Sequence, residues 1–164
     1  MKSLVLALSL LLSIPAFAGH EGPEGVAILD PVIAKVVTGS GFAPPVAPLS
    51  VTVQIHRSGL IEMIRAFPKN SKTTEVATLA QPVALKLWGY TTSVVQAKLE
   101  DINPSAPECM DAPSTTYYAV QGWQEVEVAM TQNCKEFRKA NESDADREVK
   151  RALDAALELS MIAR

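Results

Sequence analysis

The amino-acid sequence predicts an α+β domain in which an antiparallel sheet, built from two hairpins plus an N-terminal edge strand, carries two helices on one face. Segments of alternating apolar and polar residues come in two groups, and each group is followed by a segment with helical spacing. Grouped strands with short turns favour antiparallel pairing over β-α-β crossovers. We therefore expect the element order β-β-β-α-β-β-α within a single domain over residues 32–164.

The first group of strands is predicted between residues 32 and 67. Residues 32–37 are rich in β-branched side chains and end at a Gly-Ser-Gly segment, which predicts the edge strand. Residues 51–56 alternate between apolar and polar, the pattern of a strand with one buried face. Arg57-Ser58-Gly59 then predicts a turn in which glycine adopts a positive φ, so residues 60–67 complete a hairpin.

Two segments have the spacing of amphipathic helices. Pro82 suits the first turn of a helix, and apolar residues then recur every three or four positions, which predicts a helix over residues 82–99. The second helix is expected to open at Ser143, because Asp146 three residues later forms a variant of the capping box. Its apolar stripe includes Val149 and continues to Met161.

A second hairpin is predicted between these helices. Residues 115–120 and 124–130 have the composition of strands, and Gly122 lies between them. In the second of these strands the alternation places Val126, Val128 and Met130 on the core face and the intervening glutamates in solvent.

Residues 1–18 have the three parts of a secretory signal peptide. Lys2 gives a positive start, an apolar run too short to span a bilayer follows, and Ala16-Phe17-Ala18 is an A-x-A cleavage signal. We expect cleavage before Gly19 and a flexible lead-in over residues 19–31. Because no cysteine follows the apolar run, we expect no lipid anchor. The expected location is periplasmic or secreted, with no stable membrane insertion after cleavage.

Composition and motifs exclude several classes of function. The chain has 15 basic and 18 acidic side chains, a formal net charge of −3, and no dense basic cluster, so nucleic acid is not an expected partner. The two histidines, His20 and His56, lack metal-ligand spacing, and the sequence has neither a C-x-x-C nor a G-x-S-x-G motif. We expect His56 to lie on a solvated strand surface. We also expect no metal or cofactor, no enzymatic activity and a monomer.

The chain has two cysteines, Cys109 and Cys134, and we expect one disulfide between them because the protein is predicted to be exported. A two-residue turn at Gln121-Gly122 or at Gly122-Trp123 leaves both cysteines on one face of the second hairpin. A three-residue loop would place them on opposite faces. The acidic neighbours of Cys109 disfavour a reactive thiolate.

Phe42, Asp111 and Trp123 are the candidate binding residues. Trp123 is expected at a hairpin tip, where an indole is partly exposed, and the other two lie in proline-rich loops. An alternative site is the loop over residues 100–113, whose four carboxylates could bind calcium or act in a small hydrolase of envelope material. Its prolines favour a solvated acidic loop instead.

The element order resembles that of a group of small exported bacterial domains and is distantly similar to that of emfourin, a small proteinaceous inhibitor of thermolysin-like metalloproteases. The similarity rests on the Arg57-Ser58-Gly59 turn, on Pro82, on the Asp111-Ala112-Pro113 loop and on Gly39-Ser40-Gly41-Phe42, which corresponds to a Ser-Gly-Gly-Phe-like turn. The proline-rich insertion over residues 44–48 and the cysteine pair depart from the emfourin pattern. The resemblance implies the architecture and a protein-binding loop, with no inhibitory residue assigned.

The sequence thus predicts an exported, non-enzymatic protein-binding domain, with an inhibitor-like module as one form of it and an extracytoplasmic protein as the partner. The two alternatives are a small envelope-acting hydrolase and a structural protein of the envelope. Catalytic carboxylates would need a concave pocket and a raised pKa, whereas a binding module needs an exposed loop.

Overall fold

The computed structural model describes residues 30–41, 47–109 and 112–162. Within these ranges eight strands form one antiparallel sheet, and two helices pack against it. The elements in chain order are β1 (Val32–Gly39), β2 (Ser50–His56), β3 (Leu60–Ala66), β4 (Ser71–Thr78), α1 (Gln81–Ser93), β5 (Leu99–Asp101), β6 (Ser114–Gln121), β7 (Gln124–Gln132), β8 (Lys135–Lys139) and α2 (Asp144–Ile162).

The sheet has the order β4-β3-β2-β1-β6-β7-β8-β5, and all neighbours are antiparallel. Strand β1 pairs with β2 on one side and with β6 on the other, so the predicted N-terminal edge strand lies at the centre. Its side chains explain this position, since Ile33, Ala34 and Val36 are fully buried. On either side of the β1–β6 ladder the chain forms a meander that is followed by a helix.

The predicted α+β class, with one antiparallel sheet and two helices, is confirmed, whereas the predicted element order is wrong. Strands β4, β5 and β8 were not expected, and the first helix ends at Ser93 instead of residue 99. Near this end the hydroxyls of Thr91, Thr92 and Ser93 donate hydrogen bonds to backbone carbonyls one turn earlier. Such bonds compete with the regular helix ladder, and Val94 is already extended.

The hydrophobic core lies between the sheet and the helices. Both helices contact β1, β6 and each other, so they cover the same face. The buried apolar side chains come from both meanders and from both helices; among them are Val53, Ile55, Ile61, Met63, Tyr117, Ala119, Val126, Val128, Leu87, Val149 and Leu153.

A β-bulge in β7 changes which side chains face this core. Ala119 pairs with Val126, but Tyr117 pairs with Ala129, so β7 contains one extra residue. Val128 and Ala129 are consecutive and both are buried. Met130 therefore turns to the opposite face of the sheet, and its predicted position in the core is wrong.

The start of α2 confirms the predicted capping box. The Ser143 hydroxyl accepts a hydrogen bond from the Asp146 backbone N–H at 3.1 Å, and the Asp146 carboxylate accepts one from the Ser143 N–H at 2.9 Å. The same carboxylate lies 2.6 Å from Lys139 Nζ, and both side chains are almost inaccessible, at 4% and 3% exposure. Lys139 also donates to the Val95 carbonyl at 2.7 Å.

Gly59 and Gly122 both have a positive φ but differ in their surroundings, which gives a matched pair for mutation. A Cβ on Gly59 (φ 97°) would lie 2.5 Å from the Leu79 carbonyl oxygen, whereas a Cβ on Gly122 (φ 65°) would meet nothing within 4 Å. We expect Gly59→Ala to lower the free energy of unfolding by about 2 kcal/mol and Gly122→Ala by about 1 kcal/mol. Urea unfolding with a constant m value measures both. Equal losses would contradict the role of the Leu79 contact.

Candidate functional site

The tip of the β6–β7 hairpin presents a tryptophan to solvent. Gln121 and Gln124 pair across the end of the hairpin, so Gly122 and Trp123 form a two-residue turn. A positive φ at Gly122 but not at Trp123 fits a type II′ turn. The Trp123 side chain is fully exposed, at 102% of its reference area.

Contacts with α1 hold this hairpin in place. The Gln121 side-chain amide donates to the backbone carbonyls of Thr91 at 2.7 Å and of Val94 at 2.8 Å. Val95, which follows directly, is another exposed apolar side chain at 72%. The end of α1 therefore supports the hairpin one residue before its turn, and the indole lies on a fixed part of the backbone.

Phe42 and Asp111, the other candidate binding residues, lie outside the described residues. Gly39, three residues before Phe42 in sequence, pairs with Ser114 at the start of β6. Trp123 follows the other end of β6. The sheet end that carries Trp123 is therefore opposite the end at which β1 finishes and β6 begins.

The structure joins Cys109 and Cys134 in a disulfide, with 5.5 Å between their Cα atoms. The hairpin turns at Gly122-Trp123, which is one of the two predicted turns, but the bulge in β7 shifts the register by one residue and Cys134 lies in the β7–β8 turn. The hairpin register therefore does not explain the pairing. The Cys109 backbone N–H also donates to the Asn133 carbonyl at 3.0 Å, so the loop before β6 is attached to the β7–β8 turn by two bonds. The predicted pairing is the one that the structure contains.

Two of the three described carboxylates of the acidic loop, Asp101 and Glu108, pair with a lysine. Lys135 Nζ lies 3.2 Å from Glu108 and 3.3 Å from Asp101. Hydrogen bonds to Glu108 and Asp101 raise the pKa of Lys135 above its ordinary value. Within the described ranges, no group of three or more His, Cys, Asp or Glu side chains could hold a metal ion. The loop therefore has the features of a structural ion-pair cluster.

His56 is more enclosed than its predicted position on a solvated strand surface, since its side chain is only 13% exposed. Its Nε2 lies 2.9 Å from the Glu62 carboxylate, and its Nδ1 lies 2.9 Å from the Asp30 carbonyl oxygen. The Ser58 hydroxyl bonds to the Asp30 carboxylate and makes no bond to the imidazole. The network ties Asp30, two residues before β1, to the β2–β3 hairpin and does not form a Ser-His-Asp relay.

An open groove of about 210 Å³ lies on the helix-bearing face, at the sheet end opposite Trp123. Its lining residues come from four neighbouring strands and the last turns of α2; they are Thr38, Val51, Met63, Arg65, Thr115, Leu157, Ser160 and Met161. None of the described carboxylates of the acidic loop is among them. Sequence reasoning did not find this groove.

No family model matches the chain, and a search of curated proteins finds no match. The similarity to emfourin stays a prediction from the sequence. Among residues 30–41, 47–109 and 112–162, neither helix is long and apolar enough to cross a membrane.

Proposed function

We propose that the protein is an exported, non-enzymatic binding domain that inserts Trp123 into a pocket of an extracytoplasmic protein. The observation that carries the proposal is the fully exposed indole on a two-residue turn. Tryptophan is among the side chains that contribute most to protein interfaces, because it buries a large apolar area and can donate one hydrogen bond. The fixed hairpin reduces the entropy that binding would cost.

Export is supported by the signal-peptide pattern of residues 1–18 and by the disulfide, because disulfides persist in oxidising compartments. A non-enzymatic role is supported by the pairing of Asp101 and Glu108 with Lys135, which leaves these carboxylates poorly suited to acid–base catalysis. The resemblance to emfourin makes an extracellular metalloprotease the first partner class to test.

The proposal is tested with the mature chain, residues 19–164, and its Trp123→Ala variant. A panel of thermolysin-like metalloproteases is assayed for inhibition, and the tagged protein is used to capture partners from envelope and culture-supernatant fractions. We expect Trp123→Ala to weaken binding of the captured partner by about 2 kcal/mol, or roughly 30-fold. Its free energy of unfolding should change by less than about 0.5 kcal/mol, since the Trp123 side chain is fully exposed.

Leu85→Ala is the matched control, because Leu85 is an exposed apolar side chain on α1. This variant should retain the partner with wild-type affinity. A partner that binds Trp123→Ala as tightly as wild type would show that the hairpin tip is not the binding surface. Inhibition of a metalloprotease that is lost in Trp123→Ala would assign the inhibitor role.

A further inference from the structure

The groove at the end of α2 combines an apolar wall with a cation. Val51 and Met63 contribute apolar surface from the sheet, and Leu157 and Met161 contribute it from the helix. Met161 remains 52% exposed, so its apolar side chain lies at the rim. The mixture of an apolar lining with few polar groups is typical of small-molecule sites.

Arg65 is the charged residue of this lining, and nothing in the described part of the chain neutralises it. No carboxylate there lies within salt-bridge distance of Arg65 or of Lys72, which is its direct cross-strand neighbour on β4. Like charges directly opposite each other in a sheet repel. An anion placed between them would remove this repulsion.

We propose that this groove binds a medium-chain fatty acid, with the carboxylate on Arg65 and Lys72 and the hydrocarbon chain along the apolar wall. Arginine forms bidentate hydrogen bonds with carboxylates, which fixes the orientation of such a ligand. The last-turn carbonyls of α2 carry partial negative charge, so the carboxylate belongs on the strand side of the groove. The site is separate from Trp123, at the other end of the sheet.

The volume of the groove sets the length of the chain. At about 210 Å³ the groove is smaller than the roughly 300–1,000 Å³ of drug-sized ligand sites, so it suits a short hydrocarbon chain. We therefore choose octanoate as the probe and hexanoate as its shorter homologue. From hexanoate to octanoate each added methylene should tighten binding by about fourfold, because each one leaves water for an apolar wall.

The proposal is tested by isothermal titration of the mature protein with octanoate and hexanoate, and with octanol and octyltrimethylammonium as uncharged and cationic controls. We expect octanoate to bind more tightly than hexanoate, and more tightly than either control by at least tenfold. Arg65→Gln should weaken octanoate binding by about tenfold or more, while leaving octanol unchanged. Arg151→Gln, which removes an exposed cation elsewhere on α2, should have no effect.

Two variants that place opposite charges at the exposed Met161 distinguish an electrostatic effect on binding from a folding defect. Both Met161→Glu and Met161→Lys remove apolar wall, but Met161→Glu should weaken octanoate binding more than Met161→Lys does, while both variants unfold at the wild-type urea concentration. Equal affinity for octanoate and octanol, equal affinity of the two Met161 variants, or no heat of binding with folded protein at millimolar octanoate would each overturn the proposal.

Discussion

Replacing Lys139 by methionine is expected to lower the free energy of unfolding by about 3–5 kcal/mol. The change leaves the Asp146 carboxylate without its partner in a position that water scarcely reaches. It also removes the hydrogen bond to the Val95 carbonyl, through which Lys139 connects β8 to the segment after α1. Urea unfolding followed by circular dichroism measures the loss.

Two further variants distinguish the cost of an unpaired buried carboxylate from the loss of packing around Lys139. The double variant Lys139→Met/Asp146→Asn should lose less stability than Lys139→Met alone, because no uncompensated charge remains buried. Arg151→Met should change stability by less than about 0.5 kcal/mol, since its ion pair with Glu148 is largely exposed. A double variant as unstable as Lys139→Met would mean that packing, and not the unpaired carboxylate, causes the loss.

The same ion pair predicts how stability depends on pH. Burial raises the pKa of Asp146, but the hydrogen bonds from Lys139 and Ser143 outweigh it and hold the pKa below its ordinary value. The Asp146 carboxyl therefore binds a proton less readily in the folded protein than in the unfolded chain. Its ionised form contributes fully to the free energy of unfolding above the unfolded pKa of about 3.9. It is lost as the pH falls through the folded pKa. Asp146→Asn should lack this part of the acid dependence.

Removing the disulfide is expected to lower the free energy of unfolding by about 3 kcal/mol, because the bond closes a loop between cysteines 25 positions apart. The position of Cys134 adds a second effect. Asn133 (φ 51°) and Cys134 (φ 63°) both have positive φ, as in a type I′ turn, where glycine usually occupies the second position. A cysteine there adopts a backbone conformation that costs about 1 kcal/mol more than it would for glycine.

Two double variants distinguish these effects. Cys109→Ala/Cys134→Gly loses the bond but relieves the backbone, whereas Cys109→Ala/Cys134→Ala loses the bond and keeps the strain. We expect the first to be more stable than the second by about 1 kcal/mol. Both should be insensitive to reductant, and the wild-type protein should lose stability when reduced. An unchanged urea midpoint for reduced wild type would contradict the stabilising role of the bond.

Strands with one buried and one exposed face could be predicted from the sequence. Strands that lack this difference in burial between their faces were missed. Alternation identified β2, because Val53 and Ile55 are buried and their neighbours are not. Strand β4 is an edge strand with few buried side chains, so its sequence has no such signal. Strand β8 consists mainly of charged residues, and some of their partners are distant in sequence, such as Asp101, which pairs with Lys135. Only the folded chain shows these partners.

The same reasoning applies to the two candidate sites. The exposure of Trp123 follows from its place beside Gly122 in a short turn, which is a local property. The groove depends on side chains from five elements, for example Thr38, Arg65 and Thr115, that are brought together by the order of the strands. That order could not be derived while β1 was expected at the edge.

The central position of β1 also has a consequence for how the chain reaches its folded state. Ala34 pairs with Ala119, so the middle ladder joins strands that are far apart in sequence, while the ladders within each meander are local. Non-local pairing slows folding, since the intervening chain loses entropy before the contact is made. Until β6 meets β1, each meander has an unpaired strand edge, and such edges are where chains associate wrongly.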